Sequence, residues 1–170
     1  MKLTFRLFAL LGVWMSGSAL HAVPHAHLYS LVTQMPSART GSLVKMESID
    51  SMEGFELSPT KDLLIAKVAG LYFLFYTGQI GAATPGAEGF IDCWFVKNGK
   101  PVPNTTKRQT VDTSNFAGLM NTALVTPLSP GDTIGTMFSA SGPSLGLVQI
   151  KPSVAPTITS VSVTIFKIDR

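Results

Sequence analysis

After residue 22 the chain nowhere sustains a helical period. Glycine and proline interrupt it at short intervals, and between them lie short runs rich in Val, Ile, Phe, Tyr, Thr and Leu. So divided, the chain leaves little room for helices, and its turn signals fall at the spacing of a sandwich or barrel. The pattern predicts an all-β fold, an antiparallel β-sandwich. Its strands are expected at Leu43–Ile49, Gly54–Leu57, Leu63–Val68, Leu71–Ile80, Gly89–Lys97, Val102–Gln109, Leu119–Leu128, Thr133–Ser139, Gly146–Ile150 and Ile158–Ile168. Lys97-Asn98-Gly99-Lys100 reads as a two-residue hairpin, because Asn98 and Gly99 both accept the positive φ of a type I′ turn. Pro130-Gly131-Asp132 is a second turn. Two longer loops, Gly81–Gly89 and Lys151–Thr157, are expected at the ends of the sandwich.

One strand departs from the ordinary pattern. In Gly70-Leu-Tyr-Phe-Leu-Phe-Tyr76, alternation puts Tyr72, Leu74 and Tyr76 on one face and Leu71, Phe73 and Phe75 on the other. Both faces are apolar. Parallel strands are buried twice over because helices cover them, but no helices are expected here. In a helix-free sandwich the second face needs cover from outside the domain, and a second copy of the chain is the simplest cover.

The ends of the chain read differently. Lys2 and Arg6 precede an uncharged apolar run, Leu7–Met15, and small residues follow in Ser16–Ala22. This is the layout of a secretory signal peptide, and the run is too short for a permanent bilayer span. Three regions are therefore expected: a signal peptide at 1–22, an extended lead-in arm at 23–41, and the sandwich at 42–170. The product would be secreted, periplasmic or on the cell surface, with no stable membrane span after cleavage. The whole sequence has 13 Lys and Arg against 10 Asp and Glu; without Lys2 and Arg6 the balance is 11 against 10. That near-neutrality, with only the small Thr106–Arg108 basic patch, gives a nucleic-acid partner little support, and none is expected. Cys93 is the single cysteine, so no intramolecular disulfide forms, and its strand-like flanks predict a buried, inert thiol.

No cofactor or metal is expected. His25 and His27 sit in the lead-in, where Pro24 lacks the N–H that an N-terminal copper chelate needs. No histidine lies near a candidate Ser or Cys nucleophile in sequence, and the lead-in would have to fold back to supply one. The carboxylates at Glu47, Asp50, Glu53 and Glu56 read as a solvated edge. The chain is thus expected not to be an enzyme.

At Gly70-Leu71-Tyr72-Phe73-Leu74-Phe75 the chain resembles the Gly-x-Tyr-x-Phe strand of the tumour necrosis factor and complement C1q globular-head superfamily. The Lys97–Gly99 hairpin follows in the same order. Leu128-Ser-Pro-Gly131-Asp132 then resembles the Leu-x-x-Gly-Asp turn, and a last strand ends the chain. Leu74 stands where the family often has Phe, the last strand lacks Phe-x-Gly-Phe, and no collagen-like repeat precedes the domain. The resemblance implies a jelly-roll sandwich. It also implies a homotrimer in which Gly70, Tyr72 and Leu74 belong to the core strand, while Leu71, Phe73 and Phe75 face the threefold axis. The expected function is a non-enzymatic oligomeric recognition module presenting end loops to an extracellular protein or glycan. The alternative is a monomeric carbohydrate-binding jelly roll acting through Trp94, Tyr29 or loop aromatics.

Overall fold

The computed structural model describes residues 23–36, 41–112 and 117–169. The expected signal peptide, 1–22, lies outside them. The described strands are β1 (His25–Ser30), β2 (Ser42–Leu43), β3 (Ser48–Glu53), β4 (Phe55–Leu57), β5 (Leu64–Ala66), β6 (Gly70–Ala82), β7 (Gly89–Lys97), β8 (Lys100–Pro101), β9 (Lys107–Val111), β10 (Ala117–Leu128), β11 (Thr133–Ala140), β12 (Leu145–Leu147) and β13 (Val161–Lys167). They form two antiparallel sheets. The first runs β10-β6-β13-β1-β3, with β12 also paired to β6; the second runs β4-β5-β11-β7-β8, with β2 on β11 and β9 on β7.

The core lies between the sheets and follows from alternation. β6 sends Tyr72, Leu74, Tyr76 and Ile80 inward, β13 sends Val161, Val163 and Ile165, and β7 answers with Ile91, Cys93 and Phe95. The Tyr72 ring meets Phe55 edge-on at 5.2 Å between centroids, and its hydroxyl donates to the Val68 carbonyl at 2.9 Å. Buried phenols usually find such a partner, although the buried Tyr76 hydroxyl has none among the described residues. Gly70 opens β6 where a side chain would run into that of Lys167.

The segment 23–41, expected as a lead-in, supplies a full strand. β1 pairs with β13 on one side and β3 on the other, burying Ala26, Leu28 and Ser30. Its inward set includes Ala and Ser, so the apolar alternation that marks a strand is faint. The expected strand Leu43–Ile49 is divided: β2 joins the second sheet and β3 the first, with Val44 and Met46 buried between them. The expected strand Val102–Gln109 is also broken, because Pro103 and the positive φ of Asn104 (63°) separate β8 from β9.

Candidate functional site

The outward face of the first sheet gathers the unpaired apolar side chains. Cross-strand register fixes its rows. Val125, Phe73, Phe166 and His25 form one; Ala123, Phe75, Thr164 and His27 the next; Asn121, Thr77, Ser162 and Tyr29 the third. Beyond the first row Pro127 lies opposite Leu71. Phe75 is 41% exposed, Phe166 40%, Val125 54% and Leu119 57%, high values for large apolar groups in the middle of strands. Phe73 is half-buried because its ring tilts onto Phe166, 5.4 Å between centroids. Over β10, β6 and the end of β13 the first two rows therefore form an apolar patch of Val125, Phe73, Phe166, Ala123 and Phe75, and the polar Asn121 and Thr77 separate it from Leu119. The half of the face over β1 and β3 is polar.

Leu71, Phe73 and Phe75 all lie on this outward face, and Tyr72 and Leu74 lie on the inward one. Phe166 and Val125 join the patch and Leu119 stands exposed beyond it, none of them singled out from sequence. Phe166 was within reach, since it continues the outward parity of Ser162 and Thr164. The β10 residues were masked by buried threonines. Thr122 and Thr126 point inward, and Thr122 donates to the Thr105 carbonyl at 3.2 Å, so this strand shows no clean polar–apolar alternation.

The turn residues form a separate cluster at one end of the sandwich. Asn98 and Gly99 have φ of 50° and 74°, as a type I′ hairpin requires, and Gly131 has φ of 89°. Asp132 ties the two turns together. It accepts from the Ser129 N–H at 2.9 Å and the Asn98 side-chain amide at 2.8 Å, and pairs with Lys97 at 3.0 Å. Asn98 accepts in return from the Thr133 N–H at 2.8 Å. The Ser129 N–H, the Asn98 amide and Lys97 together hold the Asp132 carboxyl down at about 2.

On the β1–β3 side, three polar side chains meet. His27 Nδ1 lies 3.3 Å from Asp50 Oδ2, and His27 Nε2 lies 3.1 Å from Ser162 Oγ. A bulge between β1 and β3 brings this about: His27 pairs with Ser51 and Leu28 with Ile49, leaving Asp50 with no residue opposite. Sequence reasoning passed over this cluster, because its members come from strands far apart in the chain and a bulge has no local signature.

Of the aromatics expected to stack on sugar, Trp94 is half-buried and Tyr29 lies on the outward face of β1. Trp94 lies on β7 against Gly41, where an added Cβ would come within 2.9 Å of the indole. Its Nε1 is buried, with no hydrogen-bond partner among the described residues. Phe90 is covered instead by the Arg108 guanidinium at 3.7 Å from the ring centroid. That guanidinium is held by both oxygens of Asp92, at 2.7 and 2.8 Å. The basic patch of the sequence is thus partly spent within the second sheet. Cys93 is buried beside Tyr76, and burial pushes its thiol up to about 12. Among the described residues no group of His, Cys, Asp and Glu is placed to hold a metal ion, and no helix is long and apolar enough to cross a membrane.

No family model matches the sequence, and no curated protein does. Solved structures do. Murine APRIL, in crystals at pH 5.0 and at pH 8.0, superposes with a TM-score of 0.57 in each case, covering 86% of this chain and 100% of that chain at 14% identity. This is a tumour necrosis factor-like jelly roll. At 14% identity the likeness carries the fold and not the surface chemistry. In this jelly roll the apolar half-face lies on the sheet built around β6, whose Gly-Leu-Tyr-Phe-Leu-Phe sequence carried the resemblance.

Proposed function

We propose that the chain is an exported recognition module that self-assembles into a homotrimer through the apolar half of its first sheet. One observation carries this reading: Phe75, Phe166, Val125 and Leu119 stand open on the outward face of strands whose inward face already fills the core. Soluble monomers rarely leave such a patch bare. Fully burying one such side chain stabilises by roughly 1.5–3 kcal/mol; with about half of each still to bury, the four supply about 3–6 kcal/mol per protomer before association entropy is subtracted. Support for three copies comes from the fold shared with a tumour necrosis factor family ligand. Support for export comes from the charged start, apolar run and small-residue exit of residues 1–22.

The module would present its end loops to an extracellular protein or glycan. Ala83 from the β6–β7 loop and Lys151 from the loop before β13 line one depression of about 390 Å³, so both loops meet at the same end. Self-association is tested with Phe75→Asp. Placing a charge at the centre of the patch should convert the assembly to monomer or aggregate in size-exclusion chromatography. A Phe75→Asp protein that elutes with the wild type would overturn the assignment of this face.

A further inference from the structure

The polar cluster on the β1–β3 side has the connectivity of a nucleophilic hydroxyl, a base and an orienting acid. Asp50 Oδ2 accepts only, so the proton on His27 sits at Nδ1, which donates to it across 3.3 Å. In neutral imidazole that leaves Nε2 as the acceptor. It faces Ser162 Oγ at 3.1 Å and takes the hydroxyl hydrogen bond. The relation of the three groups is therefore Ser Oγ–H to Nε2 and Nδ1–H to carboxylate, the arrangement that activates a serine for acyl transfer. Two features of the fold assemble it. The segment before residue 31 folds back as β1 and lays His27 beside β13, diagonally from Ser162. The bulge then leaves Asp50 unpaired on the neighbouring strand, free to turn to the imidazole.

The surroundings suit an ester rather than a structural polar contact alone. His27 and Asp50 side chains are 41% and 66% exposed in the single chain, so a substrate reaches the base wherever assembly leaves β1 and β3 uncovered. In the Ser162 row, Tyr29 lies directly across on β1 and Thr77 directly across on β6. Among the described residues no hydrogen bond occupies either hydroxyl, and both side chains are on the same outward face as Ser162, the nearest-row donors for a carbonyl oxygen on which charge develops. The cluster spans β13, β1 and β3; Ser162 is on the strand next to that of Phe75, one row away, so the site borders the patch assigned to assembly.

We propose that Ser162, His27 and Asp50 form an acyl-transfer site that hydrolyses small activated carboxylic esters. Ser162 Oγ bonds to the ester carbonyl carbon as its proton passes to His27 Nε2. The carbon–oxygen bond to the alcohol breaks, and the alcohol leaves with that proton. Water then adds to the acyl carbon, giving a proton to His27, and the carboxylic acid departs as Ser162 Oγ recovers it. The sum is ester plus water to acid plus alcohol. Asp50 is a positioning residue, acting through the imidazole.

The test uses the intact protein with p-nitrophenyl acetate, and with a fluorophosphonate probe that loses fluoride to a nucleophilic serine. The expected result is sustained turnover and one phosphonylated peptide containing Ser162. Ser162→Ala abolishes both, and His27→Gln lowers the rate by about 10²-fold or more, the contribution of a general base. Asp50→Asn lowers kcat with KM unchanged, and Asp50→Glu restores part of it. Wild-type turnover equal to that of Ser162→Ala, or labelling at any other residue, would overturn the proposal. An Asp50→Asn enzyme with unaltered kcat would remove Asp50 from it. Ser162→Ala deletes a single half-buried hydroxyl, and a melting curve matching the wild type confirms that it folds.

Discussion

Two residues show how local chemistry fixes behaviour here. Asp132 holds two turns together through acceptor bonds that only its anion makes in full, and its carboxyl sits at about 2 against an unfolded value near 3.9. A carboxyl lowered in the native state contributes stability above its unfolded value, and that contribution is lost as pH falls toward the native one. Wild-type protein should therefore lose stability between about pH 4 and pH 2 more steeply than Asp132→Asn, measured by denaturant midpoints across that range. Parallel curves would show that the carboxylate is not coupled to folding. Cys93 behaves in the opposite sense. Buried between the sheets and raised to about 12, its thiol has almost no thiolate at neutral pH. A thiol reagent should modify it slowly in native protein and rapidly in denaturant. Equal rates would contradict the burial.

Among the strands, β1 decides the most and announces itself least. It is bonded on both edges, between β13 and β3, and it buries Leu28 completely. Leu28→Ala should cost about 2–5 kcal/mol of stability in a denaturant titration, as for other large-to-small changes in a packed core. A cost under about 0.5 kcal/mol, typical of surface sites, would show that β1 is peripheral after all. The sequence made β6 legible because large apolar side chains occupy both its faces, and the β7–β8 hairpin legible because Asn98 and Gly99 encode the turn. It hid β1 because two of its three inward side chains, Ala26 and Ser30, are small. It half-hid β10, whose inward Thr122 and Thr126 look like surface residues. Nothing in the sequence marked Asp50 as a bulge residue, so the cluster with His27 and Ser162 emerged only when the sheet was assembled.

The whole molecule is built around a sheet with one face spent on the core and part of the other left apolar. The tumour necrosis factor-like jelly roll places that apolar part at β10, β6 and the end of β13, and the Ser162 cluster borders it across β13, β1 and β3. If copies of the chain cover the apolar half, the end loops are brought together at one end of the assembly and recognition becomes multivalent, with avidity exceeding the affinity of one domain. Multi-angle light scattering of the purified wild-type protein tests this most directly. The proposed assembly requires a single species of about three times the mass of one chain, concentration-independent in the micromolar range. A monodisperse species with the mass of one chain would contradict it.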